Sequence, residues 1–204
     1  MKRESLIDGF CAISKVMTEN KDNLIELDAR NGDGDLGISM AAGYEAVCSG
    51  IAALDETDLG KIMMKAASVF NEAEPSSLGT ITSFGMMGMA KALKGKTEVG
   101  LPEFAQAMMA CVEHIMEKAK SKPGEKTILD AIYPGAQALC DHSQKGEKEA
   151  WQAAYDAAKA GAKSTEQMRS VHGRAAYYGD KSIGLIDGGA VVGSLIFEAI
   201  VNSL

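Results

Sequence analysis

Residues 59–72 read Leu59-Gly60-Lys61-Ile62-Met63-Met64-Lys65-Ala66-Ala67-Ser68-Val69-Phe70-Asn71-Glu72, and their apolar spacing decides the fold class. Ile62, Met63, Ala66, Val69 and Phe70 recur three and four residues apart, which gathers them on one side of an α-helix. The same period returns along nearly the whole chain. Leu6, Phe10, Ile13 and Met17 carry it until the stretch ends among Asn20, Asp22 and Asn23. Further helices are expected from about Ile38 to Leu54, from Pro75-Ser76-Ser77 to Leu93, and from Pro102 to about Lys120. Thr127 opens another that contains Pro134, where a kink is expected. Glu147 to about Met168 is long, Ala-rich and amphipathic, and the last helix spans about Gly189 to Val201. About eight helices result, with no convincing β-alternation.

Composition agrees. Over 204 residues, apolar types make up 46% and charged types 24%, the balance of an ordinary globular protein with room for a core. Aromatics are only 5%, which favours close-packed helices over a β-sandwich. No composition shift or repeat marks a boundary, so residues 1–204 are expected to form a single all-α domain. The net charge of −7, with no basic block, argues against nucleic acid as a partner. No apolar window is long enough for a membrane span, and the amino-terminal residues lack a signal-peptide core, so the expected location is cytoplasmic. Cys11, Cys48, Cys111 and Cys140 form no C-x-x-C pair and are expected as reduced core cysteines.

The unusual chemistry lies between the helices. Residues 28–37, Asp28-Ala-Arg-Asn-Gly32-Asp33-Gly34-Asp35-Leu36-Gly37, hold three carboxylates and three glycines, a composition for a tight turn. Like charges this close repel, and a bound cation neutralises them. Oxygen ligands point to Mg²⁺ or Ca²⁺, away from zinc. A solvated acidic turn ahead of a helix is the plain alternative. An EF-hand fails, because with Asn31 first, position six is Leu36 and position twelve is Ala42. The relaxed Walker A match ending Gly95-Lys96-Thr97 closes a helix where a P-loop must open one. Pro75-Ser76-Ser77 offers either a simple helix cap or amide and hydroxyl donors for phosphate oxygens. From Gly173-Arg174 to Asp187-Gly188-Gly189, dense glycines beside Arg174 and Lys181 indicate a long ordered loop, whose arginine could fork onto a phosphate or pair with an acid.

Together these stretches resemble the nucleotide-binding L subunit, or L domain, of dihydroxyacetone kinases, over essentially the whole chain. Leu27 to Gly37 is similar to the family's LDA-x-x-GDGD-x-G loop, Glu125 to Ala131 to its GDKTMLDA element, and Ser164 to Ala190 to its ST…GRASYLGERSIG…DPGA signature. The resemblance implies a barrel of eight antiparallel amphipathic helices with the nucleotide at one end. It implies Asp28, Asp33 and Asp35 as ligands of two Mg²⁺ ions bridging to ADP or ATP, and Arg174 as a phosphate clamp. Leu36, Gly37, Ile38, Ser39, Ser76 and Ser77 would contact phosphates and ribose, and Ile128, Arg174, Asp187 and Gly188 match further nucleotide-contacting positions. Charge supports the two ions: three carboxylates plus ADP carry about −6, and two Mg²⁺ return +4.

The implied activity is phosphoryl transfer to dihydroxyacetone or a related ketose held on a separate K subunit. A phosphohistidine protein of the phosphotransferase system would recharge the bound ADP. An ATP-dependent split kinase and a non-catalytic nucleotide-binding regulatory subunit stand as alternatives, with homodimer formation open. The sequence departs from the pattern at Leu36, at Glu74-Pro75-Ser76-Ser77-Leu78, where three glycines are gone, and at Gly188. Glu74 would cost nucleotide affinity unless it faces away.

Overall fold

The computed structural model describes residues 1–204 and holds nine α-helices. These are α1 (Arg3–Glu19), α2 (Lys21–Ala29), α3 (Leu36–Ala52), α4 (Leu59–Ala73), α5 (Ser77–Ala92), α6 (Leu101–Ala119), α7 (Leu129–His142), α8 (Glu147–Ser164) and α9 (Gly188–Ser203). Two 3₁₀ segments, Thr165–Gln167 and Arg174–Ser182, lie between the last two. Extended pairing is confined to one bridge between Lys2 and Glu98. No helix is long and apolar enough to cross a membrane.

Eight of the helices close a ring in the order α1, α3, α4, α5, α6, α7, α8, α9 and back to α1, each packed on the next. The ninth, α2, is a short appendage against α3 and α9 that the sequence reading missed. Asn20, Asp22 and Asn23 look like a stop signal, but the chain leaves helical geometry only at Asn20 and resumes at once. Leu24 and Leu27, three apart and buried, then hold the new helix down.

One apolar core of 45 buried residues draws on all nine helices. In α4, Ile62, Met63, Ala66 and Phe70 are buried, whereas Met64 points outward. Phe70 meets Tyr44 of α3 edge-to-face at 5.0 Å between ring centroids, with Gly43 giving it room. Burying such a side chain contributes about 2–3 kcal/mol. Asp58 caps α4 by accepting from the N–H groups of Gly60 and Lys61. In α7, Pro134 cannot donate to the carbonyl of Asp130. There α8 comes so near that a Cβ on Gly161 would lie 2.0 Å from that oxygen. An apolar cavity of about 360 Å³ runs inside the ring, with Phe10, Met86, Met108 and Trp151 in its wall.

The expectation of four reduced cysteines is corrected. Cys11 of α1 and Cys48 of α3 form a disulfide, with Cα atoms 4.9 Å apart. The two positions face each other only because α1 and α3 are ring neighbours, a proximity that 37 intervening steps of sequence conceal. Cys111 and Cys140 are free, and burial pushes the Cys111 thiol up to about 12. Those two behave as small apolar side chains.

Candidate functional site

Neighbouring helices alternate in direction around the ring, so α3, α5, α7 and α9 begin at the same end. A cleft of about 740 Å³ opens there. Its walls are the first turns of α3 (Leu36, Ser39) and α5 (Ser77, Leu78, Ile81), the approach to α7 (Lys126, Thr127, Ile128) and the start of α9 (Gly188, Gly189). Each helix start presents unpaired N–H groups and the positive end of a dipole. Four such ends meet the acidic loop that precedes α3.

That loop is built by its own turn chemistry. Gly34 sits at φ +76°, a conformation costly for other residues, and lets the chain reverse between Asp33 and Asp35. The N–H groups of Gly34 and Asp35 donate to Oδ2 of Asp28 at 2.8 and 3.2 Å, folding the loop back over the end of α2. As a result, carboxylate oxygens of Asp28, Asp33 and Asp35 lie within 4.8 Å of one another. Asp28 is partly buried and the other two are exposed, so the cluster faces the cleft mouth. Arg174 reaches it from the 3₁₀ segment and pairs with Asp33.

The structure therefore gathers Asp28, Asp33, Asp35, Leu36, Ser39, Ser76, Ser77, Ile128, Arg174, Asp187 and Gly188 in one cleft, from five separate parts of the chain. Gly37 and Ile38 are the exceptions to the sequence expectation and stand off its wall. Each helical residue turns about 100°, so Leu36 and Ser39 share the cleft face while the two between them rotate away. Gly37 instead packs on α2, where a Cβ would lie 2.1 Å from the Lys21 carbonyl, and Ile38 is exposed.

Ser76 caps α5 through the Gly79 N–H at 3.0 Å and also lines the cleft, so both readings of this serine apply to one position. Glu74 lines the cleft too and adds a fourth carboxylate to it. Leu36 and Gly188, two departures from the family pattern, are neighbours: a Cβ on Gly188 would meet Leu36 Cδ2 at 2.5 Å. Asp187 caps α9 through the Ala190 N–H at 2.8 Å. Burial pushes its carboxyl up to about 6 against the pull of that N–H and of Lys126, and Asp130 and Asp28 push in the same direction as burial.

Two residues escaped the sequence reading as site components. His172 lines the cleft and bonds Glu125 at 2.6 Å through Nε2. Lys126 is 3% exposed, and its ammonium donates to the carbonyls of Met168, Ser182 and Leu185. The stretch expected as a loop between Gly173 and Gly184 is a 3₁₀ helix broken at Gly179.

A family model described as the DAK2 domain matches residues 30–202. The ADP-binding subunit DhaL of PEP-dependent dihydroxyacetone kinase 1 from Listeria innocua is 29% identical, covering 91% of this chain and 88% of its own length. The L-erythrulose kinase of Pectobacterium atrosepticum is also 29% identical over 93% of this chain, but over only 33% of its own. Among solved structures, the dihydroxyacetone kinase of C. freundii superposes with a TM-score of 0.78 at 22% identity, over 98% of this chain and 34% of that one. Its complex with AMP-PNP and Mg²⁺ gives 0.77 at 23%. The chain thus spans nearly the full length of the L. innocua subunit and about a third of the kinase chains, and the structural likeness establishes the all-α fold.

Proposed function

Because the chain belongs to the DAK2 domain family, we propose that it is an Mg²⁺- and adenine-nucleotide-binding subunit. In this reading it transfers a phosphoryl group to dihydroxyacetone or a related small ketose held on a separate K-type subunit. The observation that carries it is the meeting of three clustered carboxylates, four helix N-termini and Arg174 in one cleft. The residues suit the ligand. Hard oxygen donors from Asp28, Asp33 and Asp35 match Mg²⁺, and the surrounding N–H groups and the Ser76 and Ser77 hydroxyls match phosphate oxygens. Bound there, Mg²⁺ would neutralise charge on the transferring phosphate.

The chain's own residues supply position and charge, and no nucleophile is required of it. Asp28 is fixed by two amide donors and so is the least mobile of the three carboxylates. Arg174 is placed to fork onto phosphate oxygens at the cleft mouth. Ile128 belongs both to the cleft and to the apolar cavity behind it, and forms an apolar floor. A relative that is named a PTS-dependent kinase subunit supports a phosphohistidine protein as the donor that recharges ADP. Glu74 in the cleft favours a second reading, a nucleotide-binding subunit without transfer, because it opposes a polyphosphate.

The test is to purify the protein, denature it and identify released nucleotide by mass spectrometry, then titrate emptied protein with Mg²⁺ and ADP. Near-stoichiometric ADP supports recharging in place, and reversible ATP binding supports an ordinary split kinase. Protein that neither carries nor binds adenine nucleotide overturns the proposal.

A further inference from the structure

Lys126 has a backbone and a side chain that each require explanation. Its φ is +61°, in the left-handed region that glycine or asparagine normally fills. Its ammonium is buried and has no carboxylate in salt-bridge contact. Instead the three donors of one ammonium meet three backbone carbonyls: Ser182 at 2.6 Å, Leu185 at 2.5 Å and Met168 at 3.1 Å. Burial pulls the pKa of this lysine down, and Asp187 and Glu166 hold it up from a distance.

Those carbonyls bracket Arg174, six residues before it and eight and eleven after. The segment also has bonds of its own: Gly184 N–H donates to the Glu166 carbonyl at 2.7 Å, and Ser170 N–H to Ser182 Oγ at 2.9 Å. These fix its internal shape and leave its placement over the cleft undetermined. Placement comes from the α6–α7 connection, through Lys126 and through the Glu125–His172 pair. The latter is partly exposed and carries little energy by comparison. A residue chosen only for its turn would be glycine; a lysine retained there in a strained conformation is retained for its ammonium.

We infer that Lys126 is a positioning residue, which registers the 168–185 segment on the α6–α7 connection and thereby sets Arg174 over the carboxylate cluster. The inference rests on the reading of Arg174 as a phosphate clamp, and two readouts keep the two claims separate. The first is amide hydrogen exchange of the full chain. Lys126→Met removes the donors while keeping the stem, and exchange within 168–185 rises by about tenfold or more while α4 and α5 keep their protection. The second is the affinity for Mg²⁺ and ADP in a double-mutant cycle with Arg174→Ala. Each single variant weakens binding, and the double variant is no weaker than the worse single within about threefold, because Lys126 acts only through Arg174.

Unchanged exchange in 168–185 overturns the inference, and so does a double variant that shows the product of the two single losses. Normal affinity in Arg174→Ala overturns the clamp reading instead, with the exchange result still deciding whether Lys126 places the segment. If Lys126→Met melts without cooperativity, Lys126→Gly carries the same test, since its backbone takes the left-handed turn without strain.

Discussion

Asp35→Asn distinguishes a cation site from a merely acidic turn through the sign of two shifts. Its carboxylate faces those of Asp28 and Asp33, with oxygens within 4.8 Å. At that separation each like-charge pair repels by about 0.9 kcal/mol in water, and physiological salt roughly halves this. The two pairs together therefore cost about 1 kcal/mol. Asp35 also stands at the start of α3 without a side-chain cap bond, where its charge gains about 0.5 kcal/mol from the helix dipole. Repulsion wins, so in EDTA the variant is more stable by about 0.5 kcal/mol, or 1–2 °C in Tm.

Ligand reverses the order. At a hundredfold excess over Kd, Mg²⁺ with ADP adds about 2.7 kcal/mol to the wild type. A tenfold loss of affinity leaves the variant about 1.4 kcal/mol. The melting curves then cross, with the variant above the wild type in EDTA and below it by about 2–3 °C in Mg²⁺ and ADP. Circular-dichroism melts of both proteins under both conditions are sufficient. An equal ligand-induced shift in the two proteins refutes Asp35 as a ligand, and a lower Tm for the variant in EDTA refutes the repulsion argument.

Asp187 gives a pH signature. Its carboxyl titrates near 6 when folded and near 3.8 when exposed, so the folded state holds a proton that the unfolded chain has released. The stability contributed by this group is complete below pH 4 and is lost as pH rises through 6, by up to about 3 kcal/mol. Asp187→Asn removes that slope in denaturation midpoints compared between pH 4 and 7, while the amide keeps the cap; an unchanged slope refutes the assignment. The Cys11–Cys48 bond, spanning 37 positions, restricts the unfolded chain by about 4 kcal/mol in the loop-entropy relation. Reduction or Cys11→Ser lowers Tm by about 10 °C. Alkylation before reduction labels two cysteines of the four; labelling of all four refutes the pairing.

What the sequence makes legible here is what is local. The period in Leu59–Glu72 places the buried side of α4 because helix geometry is set within a few residues. The aspartates of 28–35 declare themselves because turn, repulsion and ligand set lie in one short run. Lys126 hides because its three bonds reach 42 to 59 residues along the chain. Its signal is only a lysine beside a helix start, which elsewhere would be a solvated charge. The same holds for Cys11 and Cys48, and for Leu36 against Gly188, whose contacts exist only once the ring closes. Gly37 and Ile38 fail for the opposite reason, since motif adjacency ignores the rotation that a helix imposes on consecutive residues.

The alternation of the ring has a consequence for how such a chain can change. Connections at the cleft end, residues 30–35, 74–76, 120–128 and 165–187, carry the charges and the clamp. Those at the far end, 53–58, 93–100 and 143–146, carry helix caps and little else. Doubling a far-end loop costs only about 0.6 kcal/mol of closure entropy. Lengthening a cleft-end loop displaces a ligand. New sequence, whether acquired by drift or grafted by design, is accommodated on the face that the nucleotide cleft never sees.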